Sequence, residues 1–390
     1  MTAPVLNVSR RIRATPYTPR VESLGVSGYS VVNHTILPKG FRKSVQEDYW
    51  HLKQHVQIWD VGCQRQVEIV GPDAAALVQW MTPRDLSNAK IGQCLYAPII
   101  DHNGGMINDP IILKLSDDRY WLSIADSDVL LWAKGLALGK AMDVNIFEPD
   151  VWPLAIQGPR SDDLMEKVFG FEVRNIGFFR FAEFDFQSEP LVIARSGYSK
   201  QGGFELYLDR PSLGSLLWDT LWKAGQAFEI SPGSPNLIER VEGGLLSYGN
   251  EMVNSDNPLE CGLGRYCQLD GTVDFIGRDA LVGIAERGIS RQIRGLIFDG
   301  ESCPPCQYTW PVFDHDRGSD DISTTTPIGA VSTAIWSPRF RKNVSLAMIN
   351  KTHWQPGTRV SVVLPGGDQR SAVVTSLPMG KQSEEDAQNL

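Results

Sequence analysis

Alternating apolar and polar residues predict short strands in the first half of the chain. Gln66–Val70 alternates in this way, and Tyr120–Ile124 is a second run of strand-forming residues. After a turn, Ala74–Met81 has helical spacing, and an amphipathic helix follows Asp126–Asp128 and continues to about Leu138. This order of elements predicts a small sheet with helices on one face.

Later segments have other patterns. A turn at Asn103–Gly105 separates two apolar runs and predicts a β-hairpin. Pro211–Phe228 has an apolar stripe at helical spacing, and a helix predicted from Asn236 to Gly249 carries Arg240 on an otherwise apolar face. After about Arg287, turns separate β-rich runs and predict an all-β unit; the runs are Gln292–Phe298, Val344–Ile349 and Arg359–Val363.

Composition and charge exclude several classes of protein. The 390 residues are 42% hydrophobic and 21% charged, which excludes a disordered or fibrous chain, and the length suggests two or three domains. The net charge of −9 argues against a nucleic-acid partner. The chain begins without a secretory pattern and has no apolar run long enough to span a membrane, so we expect a cytoplasmic protein.

Metal and nucleotide signatures are weak. The Cys303–Cys306 pair has zinc-knuckle spacing, but the sequence offers no matching second pair. His51 and His55 are one helical turn apart, yet Leu52 stands where a zinc protease has Glu. No Gly-x-Gly-x-x-Gly follows a predicted strand. We therefore expect no metal and no nicotinamide cofactor.

Residues 195–207 are the most unusual segment. Gly202 and Gly203 allow the backbone to approach a flat ligand, and the strand after them places Glu205 and Tyr207 on one face. A carboxylate there suits the N–H edge of a pterin or guanine, although the local sequence alone favours an exposed strand glutamate. Arg240 is either a carboxylate anchor or half of a structural ion pair.

Several collinear motifs resemble the tetrahydrofolate-dependent aminomethyltransferases, the glycine-cleavage T-protein family, and within it most closely the dimethylsulfoniopropionate demethylases. The resemblance runs from about Ser9 to Pro378. Its motifs are Ser9-Arg-Arg, Thr15-Pro-Tyr-Thr, Gln57-Ile-Trp-Asp-Val, Met81-Thr-Pro-Arg-Asp-Leu, Ile124-Ala-Asp-Ser-Asp, Ala155-Ile-Gln-Gly-Pro and Ser196-Gly-Tyr-Ser-Lys-Gln-Gly-Gly.

The resemblance implies an α+β fold of three domains around a central folate channel. Residues 1–60 and 151–285 would form a split first domain with the folate and substrate site, and residues 61–150 a ferredoxin-like second domain. Residues 286–380 would form a C-terminal β-barrel-like domain, and 381–390 a disordered tail.

The resemblance also implies roles for individual residues. Tetrahydrofolate would be the cofactor, with Glu205 on the pterin edge; the other cofactor-binding residues would be Tyr96, Tyr207, Arg240 and Asp109. The methyl donor would lie on the side of Ser123, Trp152, Tyr198, Lys200 and Val32. The catalytic candidates are Tyr198, Asn108, Asp109 and His34.

Two departures from the family bear on the reaction. T-proteins have Asp-Asp where this chain has Asn108-Asp109, and the missing carboxylate disfavours aminomethyl transfer. The demethylases have Trp at the position of Tyr198 and Tyr at that of Val32. Both positions are expected near the methyl donor, so these two differences shift the balance slightly towards an aryl methyl ether. The predicted reaction remains methyl transfer to N5 of tetrahydrofolate from a small carboxylate-bearing sulfonium such as dimethylsulfoniopropionate.

The sequence leaves open another methyl donor and other folate-dependent roles. An aryl methyl ether donor would need a hydrogen-bond donor such as His34, Tyr198 or Lys200 for its leaving phenolate. Aminomethyl transfer and a non-catalytic folate-binding role are the remaining alternatives. A small-molecule donor is the expected partner, with no nucleic acid or membrane, and a homodimer is left open.

Overall fold

A computed structural model describes residues 7–315, 326–381 and 383–384. The chain divides into two compact units. The first consists of the chain up to Met81, Leu86–Ala97 and Asn108–Asn236; the second consists of Thr82–Asp85, Pro98–Ile107 and the chain from Leu237 onward. Of the tail predicted to be disordered, residues 382 and 385–390 lie outside the described residues. The described helices include none that is both long and apolar enough to cross a membrane.

The first unit contains two larger β-sheets and a two-stranded hairpin, with helices between the strands. Its helices are α1 (Thr18–Ser23), α2 (Val45–Gln54), α3 (Ala74–Trp80), α4 (Val129–Gly139), α5 (Ser161–Phe169) and α6 (Gly214–Gly225). Its strands are β1 (Gly28–Val32), β2 (Thr35–Gly40), β3 (Gln57–Asp60), β4 (Arg65–Val70), β5 (Gln93–Tyr96), β8 (Ile111–Ser116), β9 (Arg119–Ile124), β10 (Asn145–Phe147), β11 (Trp152–Gln157), β12 (Phe181–Phe186), β13 (Glu189–Ala194), β14 (Gly203–Leu208) and β15 (Ser231–Gly233). The intervening β6 (Ile99–Ile100) pairs with β7 (Met106–Asn108) around the predicted turn.

The five-stranded sheet has the predicted ferredoxin-like topology. Its order is β10-β4-β9-β8-β5, and all of its pairs are antiparallel. Leaving aside the edge strand β5, the chain runs strand, helix, strand, strand, helix, strand, with α3 and α4 as the two helices. The strand and helix patterns around Gln66–Val70 and Tyr120–Ile124 are therefore confirmed.

The six-stranded sheet has the order β12-β13-β14-β11-β3-β15. One face packs on helices α5 and α6 through a buried apolar cluster that includes Leu154, Phe204, Leu206, Leu217 and Trp218. The opposite face of β14 meets the five-stranded sheet in a smaller cluster that includes Cys94, Leu113, Trp121, Ala194 and Tyr207. Alternation along β14 therefore directs successive side chains into different environments.

The second unit contains the predicted all-β region, which closes into a barrel. Its helices are α7 (Leu237–Gly243) and α8 (Arg278–Arg287), and its barrel strands are β16 (Arg291–Phe298), β17 (Trp310–Asp314), β18 (Gly329–Ser337), β19 (Lys342–Asn350), β20 (Arg359–Val363) and β21 (Gln369–Thr375). The barrel order is β16-β19-β18-β17-β20-β21. Inward residues such as Leu296, Val312, Val331, Ala347 and Val374 are fully buried and form the barrel core.

The helix predicted from Asn236 to Gly249 is shorter than expected. Helix α7 ends at Gly243, because Gly244 adopts a positive φ of 62°, which ends helical hydrogen bonding. The prediction of a helix up to Gly249 was therefore wrong by two turns. Arg240 nevertheless lies within the helix, as expected.

Candidate functional site

Glu205 is a buried carboxylate on the central strand β14. It is 5% exposed, and its Oε2 accepts hydrogen bonds from the hydroxyl of Ser196 and, at 3.4 Å, from that of Tyr207. Burial raises the pKa of Glu205, and hydrogen bonds from Ser196, Tyr207 and Gln64 lower it without offsetting the burial. Within the described part of the chain, no cationic side chain forms an ion pair with this carboxylate.

The loop before β14 is held in place by a buried amide. Gln157 donates from Nε2 to the carbonyl of Ser196 at 3.1 Å, and its Oε1 accepts the Ser199 hydroxyl at 2.8 Å. A Cβ at Gly197 would lie 2.1 Å from Gln157 Nε2, so this close approach requires glycine. The loop positions Ser196 against Glu205 and carries Tyr198, which is half-buried, and Lys200, which is exposed.

Beside Glu205, Tyr207 of the six-stranded sheet forms a hydrogen bond with Ser123 of the five-stranded sheet. The Tyr207 ring is 1% exposed and its centroid lies 6.0 Å from that of Trp121. Burial, followed by the charge of Glu205, raises the pKa of Tyr207 well above its usual value, while a hydrogen bond with Ser123 opposes the shift. Gln66 Nε2 donates to the Ser123 hydroxyl at 3.1 Å. These residues form one polar group inside an apolar layer.

Asn108 and Asp109 occupy different environments. Asn108 is fully buried, donates from Nδ2 to the Ser127 hydroxyl at 2.9 Å, and accepts the Ala125 backbone N–H at 3.3 Å. Asp109 accepts the Tyr96 hydroxyl at 2.7 Å. Asn108 therefore uses both its amide donor and its amide oxygen, whereas a carboxylate here would accept from both the Ser127 hydroxyl and the Ala125 N–H.

Trp152 lies on the other face of the sheet from Glu205, whereas the catalytic candidate His34 and the predicted donor-side residue Val32 lie at a separate turn. Trp152 on β11 pairs with Leu208 and packs on the helix-covered face of the six-stranded sheet, whereas Glu205 pairs with Ala155 and uses the opposite face. His34 is exposed at the turn that joins β1 to β2, where it has a φ of 60°, and Val32 precedes the same turn. Trp152 therefore does not share a sheet face with Glu205, and the roles of His34 and Val32 stay predictions.

Arg240 belongs to the second unit and forms a buried ion pair. Its Nη1 donates to Glu251 Oε2 at 2.6 Å, and its Nη2 donates to the hydroxyl of Thr333 at 3.2 Å. Thr333 in turn donates to the same carboxylate of Glu251. Of the two alternatives for Arg240, the structure shows the structural ion pair, and a contact with folate stays a prediction.

Sequence reasoning missed several residues that shape this site. Asn33 is 2% exposed and donates from Nδ2 to the carbonyls of Cys63 and Ile124, while its own N–H donates to Asp126 at 2.9 Å. Asn33 and Gln64 had no signal of their own in the sequence. Gln157, Asp126 and Ser127 lay inside the motifs that carry the family resemblance, which was the only sequence signal for them.

A pterin fits the chemistry of this group. A carboxylate has about four acceptor positions, and Ser196, Tyr207 and Gln64 account for at most three of them. A buried carboxylate without a cation is stabilised by charge-assisted N–H donors, which the edge of a pterin supplies in pairs. Aromatic side chains beside it, such as Tyr207, add apolar contact surface. No cluster of three or more His, Cys, Asp or Glu suited to a metal ion occurs among the described residues.

Comparison with known proteins gives consistent results. A family model for the GCVT N-terminal domain matches residues 17–271, and one for the glycine cleavage T-protein C-terminal barrel domain matches residues 291–381. The dimethylsulfoniopropionate demethylase DmdA of Ruegeria pomeroyi is 50% identical over 359 residues, which cover 92% of this chain and 95% of that protein.

More distant relatives share the fold over most of their length. An aminomethyltransferase of Caldanaerobacter subterraneus is 27% identical, covering 85% of this chain and 87% of that protein. The crystal structure of the glycine cleavage system aminomethyltransferase T from Bartonella henselae matches with a TM-score of 0.83 and 22% identity. This match covers 95% of this chain and 99% of that one, and it supports the α+β fold with its C-terminal barrel.

Proposed function

Because the chain belongs to the glycine-cleavage T-protein (GCVT) family, we propose that it is a tetrahydrofolate-dependent demethylase that takes a methyl group from a small carboxylate-bearing sulfonium of the dimethylsulfoniopropionate type. The product would be 5-methyl-tetrahydrofolate. The 50% identity with a dimethylsulfoniopropionate demethylase over 92% of the chain supports this reaction over the two alternatives. A cytoplasmic location and a homodimer stay predictions.

The observation that carries the proposal is the neutral Asn108. Its amide donates to Ser127 and accepts from Ala125, so it holds its neighbours without acting as a base. Tetrahydrofolate, when bound, would supply N5 as the nucleophile. The methyl group would pass from sulfur to N5, the sulfonium would leave as a neutral thioether that needs no acid, and the N5 proton would be lost to solvent. The chain therefore has to orient the reactants and exclude water. The full burial of Asn108 and its two hydrogen bonds within the chain support a part in holding such a site rigid and dry.

Other residues would contribute binding and orientation. Glu205 would accept the N–H edge of the pterin, Tyr207 would pack beside it, and Ser196 would hold the carboxylate in position through its hydroxyl. Asp109 would keep the Tyr96 hydroxyl directed at one place. Tyr198 and Lys200, carried by the loop before β14, would face the donor.

Product analysis distinguishes the proposed reaction from its alternatives. The protein is incubated with tetrahydrofolate and, separately, dimethylsulfoniopropionate, methoxybenzoates or an aminomethylated lipoyl carrier. We expect 5-methyl-tetrahydrofolate and a thioether with the sulfonium only. Methylation from methoxybenzoates alone would support O-demethylation, and methylene-tetrahydrofolate from the carrier would support aminomethyl transfer. No product in any arm would refute enzymatic folate chemistry in this protein.

A further inference from the structure

Gln66 is a buried amide on β4 to which the proposed reaction assigns no role. It is 1% exposed. Its Nε2 donates to the backbone carbonyl of Gln64 at 2.9 Å and to the hydroxyl of Ser123, its cross-strand partner on β9, at 3.1 Å. An amide nitrogen carries two hydrogens, so these two bonds use both of them.

The two donated bonds, and not the amide oxygen, fix the orientation of Gln66. Turning the amide over would place Oε1 against the carbonyl of Gln64, where two acceptors would face each other. In the observed orientation, Oε1 is buried and has no donor among the residues that the structure describes. A buried acceptor without a donor lowers folding stability. The two N–H bonds are therefore kept at the expense of the oxygen, which favours a role other than stability.

One of these bonds starts a chain of donors that ends at Glu205. Ser123 accepts from Gln66 and forms a hydrogen bond with Tyr207. The Tyr207 hydroxyl in turn donates to Glu205 Oε2 at 3.4 Å. An amide N–H cannot accept and an ionised carboxylate cannot donate, so the two hydroxyls between them can only donate towards Glu205. This direction agrees with the influence of Ser123 on Tyr207, whose pKa it lowers as a donor to the phenolic oxygen would.

The other bond leads to Glu205 through Gln64. It holds the backbone carbonyl of Gln64, and the side chain of Gln64 forms a hydrogen bond with Glu205. Glu205 has hydrogen bonds from Ser196, Tyr207 and Gln64. Gln66 is therefore connected to two of these three donors, Tyr207 and Gln64, without contacting the carboxylate through either of its own bonds.

We propose that Gln66 is a positioning residue for folate binding, which fixes the directions in which Tyr207 and Gln64 donate to Glu205. The remaining acceptor positions of the carboxylate then face the N–H edge of the pterin. Without Gln66, the Ser123 oxygen is open to accept from Tyr207, which would turn its hydrogen away from Glu205. The inference rests on the proposed function, because that function makes tetrahydrofolate the ligand of Glu205.

Calorimetry with tetrahydrofolate tests this role on the full chain without a methyl donor. Gln66→Met keeps an unbranched side chain of similar length and removes both donors, so the dissociation constant should rise about tenfold. Ser123→Ala interrupts one of the two routes and should raise it about threefold. Unchanged affinity in Gln66→Met would overturn the proposal. If that variant does not fold, unchanged affinity in Ser123→Ala overturns it instead.

A double-mutant cycle separates positioning from a general loosening of the sheet. Once Ser123 is replaced by alanine, Gln66→Met can act only through Gln64, so its effect should shrink from about tenfold to about threefold. The matched control is Gln93→Met on β5 of the same sheet, whose amide oxygen accepts the Lys90 N–H at 3.0 Å. It should leave the affinity unchanged. Effects that simply multiply in the cycle, or an equal loss in Gln93→Met, would contradict the proposed route.

Steady-state kinetics distinguish a failure of this inference from a failure of the proposed function. Gln66→Met should raise the KM for tetrahydrofolate and leave kcat and the KM for dimethylsulfoniopropionate nearly unchanged. Folate binding that depends on Gln66, in a protein that makes no 5-methyl-tetrahydrofolate from any donor, would support the positioning role and refute the demethylase. Demethylation by Gln66→Met with an unchanged KM for tetrahydrofolate would support the demethylase and refute the positioning role.

Discussion

Two glutamates of the first unit, Glu205 and Glu148, are largely withdrawn from solvent but have opposite partners. Glu205 accepts from the hydroxyls of Ser196 and Tyr207, and burial raises its pKa. Burial also acts on Glu148, but the hydrogen bonds and charges of Arg65 and Arg13 outweigh it and lower the pKa. The difference supports the prediction that Glu205 binds a ligand, because Glu148 already has its countercharge in two arginines and Glu205 has none.

The two carboxylates also differ in how their ionisation affects stability. A carboxylate buried with neutral donors costs stability when it ionises, whereas one paired with arginines contributes stability when it ionises. A ligand-binding site can contain such a destabilising carboxylate because ligand binding offsets the lost folding stability. The contribution to the free energy of unfolding should therefore fall as pH rises for a carboxyl with neutral donors and increase as pH rises for one paired with arginines. Replacing each carboxyl by its amide removes that contribution and measures it.

The largest effect is expected at Asp60, which resembles Glu205 in having only neutral donors. It accepts from Thr15 Oγ1 at 2.6 Å and from the N–H of Gly62, and burial raises its pKa to about 7. Its stabilising contribution is full below the unfolded pKa of 3.8 and is lost as pH rises towards 7. Asp60→Asn should remove this loss, which is on the order of 4 kcal/mol.

Urea unfolding between pH 4 and pH 8 measures that prediction. The Asn amide can donate to the Thr15 hydroxyl, which can then donate to Thr18, 3.1 Å away. Asp60→Asn should therefore match the unsubstituted protein at pH 4 and exceed its free energy of unfolding at pH 8. Equal differences at both pH values would show that ionisation of Asp60 costs nothing.

The next largest effect concerns Glu205 itself. Glu205→Gln keeps the shape but removes the charge, so it should weaken tetrahydrofolate binding by about 1.5–3 kcal/mol. The same change should raise the free energy of unfolding at pH 8, because a carboxyl whose pKa is raised by burial costs stability once the unfolded chain ionises above 4.5. Calorimetry with tetrahydrofolate measures the affinity, and urea unfolding measures the free energy of unfolding. Glu183→Gln, an exposed glutamate on β12 of the same sheet, is the matched control. Unchanged folate affinity in Glu205→Gln would remove this residue from the site.

Sequence patterns predicted the strands, the small helix-covered sheet and the C-terminal all-β unit because these depend on local periodicity and turns. The ferredoxin-like order and the barrel were implied only by the family resemblance, because they depend on which distant strands pair. Sequence patterns also placed Glu205 and Tyr207 on one face, since two residues of one strand keep their relation in any register. The face of Trp152 could not be predicted. Its relation to Glu205 depends on the pairing of Ala155 with Glu205 on the neighbouring strand, and a shift of one residue would reverse it.

The partners of Arg240 were also beyond sequence reasoning. Glu251 and Thr333 are 11 and 93 residues away along the chain, and only folding brings them to one guanidinium. The end of α7 depended on Gly244, one of several glycines near the predicted end. Contacts between distant segments thus decided which arginine is structural, whereas local patterns decided where strands and helices lie.

The smallest effect is expected at Glu148, and it has the opposite sign. Glu148→Gln leaves Arg13 and Arg65 without their countercharge, so the free energy of unfolding at pH 7 should fall by about 1–2 kcal/mol. Because the folded pKa lies below the unfolded value of 4.5, this contribution is present above pH 4.5 and is lost as pH falls further. Asp219→Asn, which breaks the exposed pair with Arg20, should cost less than about 1 kcal/mol. Urea unfolding at pH 7 and pH 3 tests both variants. If Glu148→Gln instead raised stability at pH 7, as the amide of Glu205 is expected to do, the arginines would not compensate the burial of Glu148, and the contrast between the two glutamates would fail.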